Sequence, residues 1–191
     1  IAAFDHRHIF LDPSPNPALS FIERQRLFKL KKSSWTDYHP AKISIGGGVF
    51  SRQSKIIELS AQIKKALSIS ADRLSPAELI QAILRAPVFV LYNGGIGTYI
   101  KAAAEANADA NDRANDTVRI DAEALRCQAI VEGGNLGLTQ AARVVYALQN
   151  GRIYTDSIDN SGGVECSDLE VNLKILLQPM LQNQEISSPE Q

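Results

Sequence analysis

The sequence predicts an α/β fold: an open, mostly parallel sheet with helices on both faces. Three stretches carry that expectation. Gln128 to Glu132 is a short apolar run closed by Gly133-Gly134-Asn135, the pattern of a buried strand ending in a tight turn. Thr139 can then cap a helix whose apolar face is Ala142, Val145, Tyr146 and Leu148, with Asn150-Gly151 as its stop. Arg152 to Ile158 returns as a second strand, Asn160 to Gly163 turns, and Ser167 with Glu170 forms an S-x-x-E capping box that opens another helix. Two consecutive βα units imply parallel strands joined by right-handed crossovers.

Polar residues gather at the carboxyl ends of these two strands: Glu132, Asn135, Asn160 and Ser167. That edge of a parallel sheet is where ligands bind, because helix N-termini and free loop amides converge there. Glycines at the turns let a flat ligand approach the backbone. The residues alone therefore predict a nucleotide-sized site without specifying its chemistry.

Taken in order, Ile1 to Phe4 reads as an apolar strand ending at Asp5. His6 and His8 could share a face of an extended segment, but no third ligand stands nearby, so a metal site is not indicated. Pro13, Pro15 and Pro17 forbid a helix and predict an extended surface loop, within an inserted loop region at about 13–60. Its basic run from Arg24 to Lys32 reads as a solvated face. Ser44 to Ser51 holds three glycines in a row but no G-x-x-x-x-G-K-[ST], so a tight turn is expected rather than a triphosphate cradle.

Ser60 to Leu67 and Ser75 to Leu84 read as helices. The second opens with Ser75 as cap, Pro76 at its first position and Glu78 closing a capping box. Val88 to Tyr92 is wholly apolar, which predicts a central strand buried on both faces. It runs into Asn93-Gly94-Gly95-Ile96-Gly97-Thr98. Tyr99 to Ala108 is alanine-rich and helix-prone. The polar stretch from Asn107 to Asp121 lacks the glycine and terminal Glu of a calcium loop and reads as a surface connection. Leu173 to Leu181 finishes the last helix, and Asn183 to Gln191 reads as a polar tail.

Composition excludes several classes. With 191 residues, 45% of them hydrophobic and 21% charged, the chain can bury one core. A net charge of -1 argues against a nucleic-acid footprint. Cys127 and Cys166 have neither zinc-ligand spacing nor a disulfide framework around them. No run reaches the length of a membrane span and no signal peptide is visible, so a cytoplasmic location is expected. The opening at Ile1, already in a strand, reads like the middle of a protein.

IVEGGNLGLTQAA followed by DNSGGVECSDLEVN resembles the end of the coenzyme domain of glutamate dehydrogenases. FDHRHIFLDP, KISIGGGVFSR, LYNGGIGTYIKA and NDRANDTVRID are similar to the large, NAD-specific bacterial branch of that family. The resemblance implies a Rossmann-like fold lacking its first βα unit, with residues 1–182 forming a partial NAD-binding domain and 183–191 a tail. It implies NAD as cofactor. Asp5 would stand at the tip of the second strand, where a carboxylate accepts from the adenosine ribose hydroxyls, its alternative being an ordinary turn residue. Asn93, Gly94 and Gly95 would line the adenine and ribose side, although a glycine turn that touches nothing is the other reading. Asn135 would lie near the nicotinamide half and Asn160 beside the nicotinamide ribose and carboxamide. Ser167 would help bind the substrate side-chain carboxylate, or serve only as a cap; Glu132 is expected to be a buried structural carboxylate.

The implied reaction converts L-glutamate to 2-oxoglutarate and ammonia with hydride transfer to NAD. The family's catalytic Lys and Asp belong to an upstream substrate domain, and no residue here aligns with them. An isolated chain is therefore expected to turn over little or not at all, and a homo-oligomer is the assembly expected of the enzyme. The alternative is a non-catalytic truncated nucleotide-binding or subunit-interaction module. The part played by the segment Asp112-Arg113-Ala114-Asn115-Asp116 does not follow from the sequence.

Overall fold

A computed structural model describes residues 1–183 and Glu185. It is a mixed α/β structure in which short strands pair in small sheets around a main apolar core, with a smaller second one beside it. Strand β1 (Ala2–Phe4) turns at Asp5 and pairs antiparallel with β2 (His8–Leu11). Helix α1 (Pro17–Phe28) follows, and then β3 (Gly48–Ser51) joins the other edge of β2, also antiparallel. The N-terminal strand thus belongs to an antiparallel sheet of order β1-β2-β3, not to the expected parallel one.

Helix α1 corrects the expectation of an extended loop. Asn16 caps it by accepting the Leu19 amide at 3.1 Å, and Pro17 occupies its first turn, where a missing N–H costs nothing. The inserted region is therefore an ordered unit with its own small core of Phe10, Leu27 and Tyr38, extended by Trp35 stacked on Phe10 at 4.6 Å. Glu23, fully buried on α1, ties this unit together: Lys42 Nζ donates to it at 2.5 Å and the His39 amide at 3.0 Å.

Strand β4 (Ile57–Glu58), helix α2 (Ala61–Leu67), strand β5 (Arg73–Leu74) and helix α3 (Pro76–Leu84) come next. Both helices begin where the caps predict. Ser60 accepts the Ile63 amide, and Ser75 and Glu78 form the complete capping box. Leu79, Ile80, Ile83 and Leu84 of α3 are buried at the centre of the core.

Strands β6 (Val90–Asn93) and, 36 residues later, β9 (Ala129–Glu132) pair in parallel with Tyr92 opposite Val131. Between them lie β7 (Ile100–Lys101) and β8 (Ile120–Asp121), a second parallel pair. The alanine-rich stretch after β7 makes no α-helix; its only regular turn is a short 3₁₀ segment at Asn107–Ala110. Helix α4 (Gln140–Leu148) follows β9, capped by Thr139 as predicted. The expected strand from Arg152 shrinks to one parallel bridge, Arg152 to Ala129, before α5 (Asp156–Asp159).

Strand β6 is not buried on both faces. Leu91 and Asn93 face inward, whereas Val90 and Tyr92 are 53% and 65% exposed, so helices cover one face of this pair and not both. Helix α6 (Ser161–Glu165) runs through a π-turn at Cys166–Glu170 into α7 (Val171–Gln182). That path corrects the expected capping box: Ser167 lies inside a helix that has already begun at Ser161. Beyond Asn183 and Glu185, the expected tail lies outside the described residues.

Candidate functional site

Strands β6 and β9 end side by side at Asn93 and Glu132, and the Gly133 amide donates to the Asn93 carbonyl at 2.8 Å. The two following loops therefore leave the sheet together. They touch so closely that a Cβ on Gly134 would collide with the Gly95 carbonyl oxygen. Glycine is required there by proximity. The α5–α6 junction joins them from the other side: Asn160 Nδ2 donates to Asn135 Oδ1 at 2.6 Å.

Asn93, Gly94, Gly95, Asn135 and Asn160 are thus brought into one cluster at the carboxyl edge of the parallel strands. Asn160 is buried while Gly94, Gly95 and Asn135 are exposed, giving the cluster a walled side and an open one. The paired carboxamides leave Asn135 Nδ2 as a donor and Asn160 Oδ1 as an acceptor without side-chain partners among the described residues. Asn93 Nδ2 is buried and unpaired, and it lies against the backbone of Gly137, where a Cβ would overlap it.

Two predicted residues stand apart from this cluster. Asp5 closes the β1–β2 hairpin, with Oδ1 accepting the Arg7 and His8 amides at 2.7 Å each. Burial alone would raise the Asp5 carboxyl; those two amides outweigh it and hold the pKa below its usual value. Ser167 is exposed on the helix beyond Asn160, and its hydroxyl donates to Asp168 Oδ1 at 3.1 Å.

Glu132 is a buried structural carboxylate, as expected. Its partner, Arg143 on α4, did not emerge from the sequence. Arg143 donates from Nε to Glu132 Oε2 at 3.0 Å and from Nη2 to Glu132 Oε1 at 2.9 Å, and its Nη1 lies 3.1 Å from Asp156 Oδ1. Burial would depress the Arg143 pKa, but hydrogen bonding and charge from Glu132, then Asp156, raise it overall. Asp156 spends its second oxygen on the Leu136 amide at 2.8 Å. Burial pushes its carboxyl up, and the Leu136 amide followed by Arg143 brings it below the usual range. One guanidinium thus connects the end of β9, helix α4 and α5, the elements that flank Asn135 and Asn160. The available signal was a single charge, Arg143, set inside the apolar stripe of α4.

Among the described residues, no pair of groups in this cluster is hydrogen-bonded as nucleophile and base. Its contacts are carboxamides, backbone amides and close-approach glycines, a set suited to holding a polar planar ligand. Among the described residues, no cluster of three or more His, Cys, Asp or Glu side chains could hold a metal ion. No helix among them is long and apolar enough to cross a membrane.

Comparison of the sequence with known proteins points to one family. The NAD-specific glutamate dehydrogenase of Pseudomonas aeruginosa is 56% identical over 182 residues, which is 95% of this chain and 11% of that protein. The enzyme of the same name from Mycobacterium tuberculosis is 57% identical over 187 residues, covering 95% of this chain and 12% of its own length. That from Halomonas elongata is 53% identical over 177 residues, 93% of this chain and 11% of its own. The chain therefore spans only about a ninth of the length of these relatives. A family model described as bacterial NAD-glutamate dehydrogenase, catalytic domain, matches residues 1–191, and the chain belongs to that family.

Proposed function

We propose that this chain is the coenzyme-binding portion of an NAD-dependent glutamate dehydrogenase, a longer polypeptide that oxidises L-glutamate to 2-oxoglutarate and ammonia. The observation that carries the reading is the Asn135–Asn160 pair beside the Gly94-Gly95 ledge, at the shared end of two parallel strands. Family membership supplies the rest. Bound NAD would supply the hydride acceptor.

In this reading the free donor of Asn135 and the free acceptor of Asn160 complement a primary carboxamide and its neighbouring ribose hydroxyls. Gly94 and Gly95 let the coenzyme lie against the loop backbone, with Asn93 beneath them. Asp5 keeps Oδ2 for the adenosine ribose, because its amide contacts use only Oδ1. Ser167, on the helix beyond Asn160, serves the substrate carboxylate. The groups that move protons belong to an upstream substrate domain. Residues 1–182 are then an incomplete Rossmann-like domain, supported by the βα turns at Gly133 and by the parallel Arg152 bridge. A cytoplasmic homo-oligomer without nucleic-acid or membrane partners belongs to the same proposal.

A second reading is a non-catalytic packing module, favoured by the exposed apolar residues Phe89, Val90 and Tyr92. Glutamate-dependent NADH formation by the full-length protein carrying this segment decides between them. NADH formation that needs a higher NAD concentration when Asn135 and Asn160 are both replaced by Ala supports the enzyme. Absence of turnover and of NAD binding supports the module.

A further inference from the structure

The segment from Asp112 to Asp116, whose role the sequence left open, is folded against one residue of the glycine loop that follows β6. Thr98 is buried, and its three polar groups each go to a different part of the chain. Its amide donates to Asp112 Oδ2 at 2.8 Å. Its carbonyl accepts Arg119 Nε at 2.8 Å. Its hydroxyl donates to the Leu136 carbonyl at 2.6 Å. Asp112 and Arg119 are fixed in turn: Asn115 Nδ2 donates to Asp112 Oδ2 at 2.7 Å, and Arg119 Nη1 reaches Asp116 Oδ1 at 2.5 Å. Gly97, at φ +130°, makes room for this contact, since a Cβ there would come within 2.6 Å of Asn115 Nδ2.

Leu136 is the receiving end. It holds φ +54°, a left-handed conformation that a bulky residue adopts only when its surroundings impose it. Two bonds impose it: Asp156 takes its amide and Thr98 takes its carbonyl. The residue immediately before it is Asn135, which bonds Asn160. The Arg143–Asp156 network thus fixes the peptide between residues 135 and 136 through the Leu136 amide, and Thr98 fixes the next one, between 136 and 137, through the Leu136 carbonyl. Leu136, and with it the path of the chain leaving Asn135, is held from both sides.

We propose that Thr98, braced by Asp112 and Arg119, is a positioning residue that couples the two glycine loops and fixes the orientation of Asn135 for the coenzyme. Among the described residues it forms no hydrogen bond with the Asn135 or Asn160 side chain, and it acts through the backbone of Leu136. The proposal rests on the coenzyme reading of the Asn135–Asn160 pair, and it extends that reading to a segment without a previous role.

The test uses the full-length protein carrying this segment, with Thr98→Val and Thr98→Ser. Val keeps the shape and removes the hydroxyl; Ser keeps the hydroxyl. Thr98→Val is expected to raise the NAD KM about tenfold, the effect of one lost hydrogen bond with its acceptor left bare, with kcat within about twofold. Amide exchange should accelerate at residues 133–137 and stay unchanged in α3, and Thr98→Ser should restore both readouts. Unchanged exchange at 133–137 and unchanged KM in Thr98→Val would overturn the proposal. So would exchange raised equally in α3, or a Ser variant as impaired as Val. Failure of the unaltered protein to bind NAD would overturn the coenzyme reading itself, and the proposal with it; binding that Thr98→Val leaves intact overturns the proposal alone.

Discussion

Arg143 and Glu132 meet in the interior through two parallel hydrogen bonds, one helix against the end of one strand. A two-point pair fixes orientation as well as distance, which a lysine could not do. Because Asp156 shares the same guanidinium, the pair also sets where α5 begins and so where Asn160 stands.

Replacing Arg143 with Met leaves one fully buried carboxylate without a cation. Urea unfolding should show a loss of about 3–5 kcal/mol, since stranding a buried charge is far worse than losing a surface pair. Adding Glu132→Gln to that variant should recover part of the loss. A double variant no more stable than Arg143→Met would contradict the assignment of the penalty to the stranded charge.

Glu23 predicts the acid limb of the stability profile. Its hydrogen bond from Arg26 is the largest influence, opposed by burial and assisted by Lys42 and the His39 amide, and together they lower its pKa from 4.5 to about 2. A folded-state pKa below the unfolded one means stability fully present above the unfolded value and lost as pH falls from about 4.5 through about 2. In Glu23→Gln that slope should flatten, leaving the profile above pH 5 parallel to that of the unaltered chain. Equal acid slopes for the two proteins would refute this.

Gly137→Ala tests the floor of the site. The new methyl would overlap Asn93 Nδ2 and lie 3.0 Å from Glu132 Oε1, so Asn93 must move. Overpacking of this kind costs about 1–3 kcal/mol. The variant should lose NAD affinity along with stability, whereas Gly95→Ala, whose Cβ meets nothing within 4 Å, should keep its stability. Thermal melts and NAD titrations of the two variants read the difference.

Local signals were legible in the sequence; long-range ones were not. Ser75 with Glu78 and Thr139 with Ala142 are contacts three residues apart, and both helix starts follow from them. Pro17 misled because proline is read as a helix breaker, although at the first turn, after Asn16, it favours the helix. The alanine-rich stretch after Ile100 has helix propensity, but distant partners override it: the Ala103 amide donates to Glu123, and Ile100 pairs with Ile120. The apolar run through Val90 fixed a strand without revealing which face lacks a cover. In the site, Asn135 and Asn160 were visible as strand-end polar residues, while Thr98, Arg143 and Asp156 were not. Their meaning lies in partners 38, 11 and 20 residues away, at Leu136, Glu132 and Leu136.

Calorimetric titration of NAD into the full-length protein carrying this segment tests the central claim most directly, alongside Asn135→Ala, Asn160→Ala and the double variant. The hydrogen bond between them predicts coupling: each single variant should bind about tenfold more weakly, and the double variant little worse than either. Binding by the double variant as tight as that of the unaltered protein would contradict the placement of NAD at this pair.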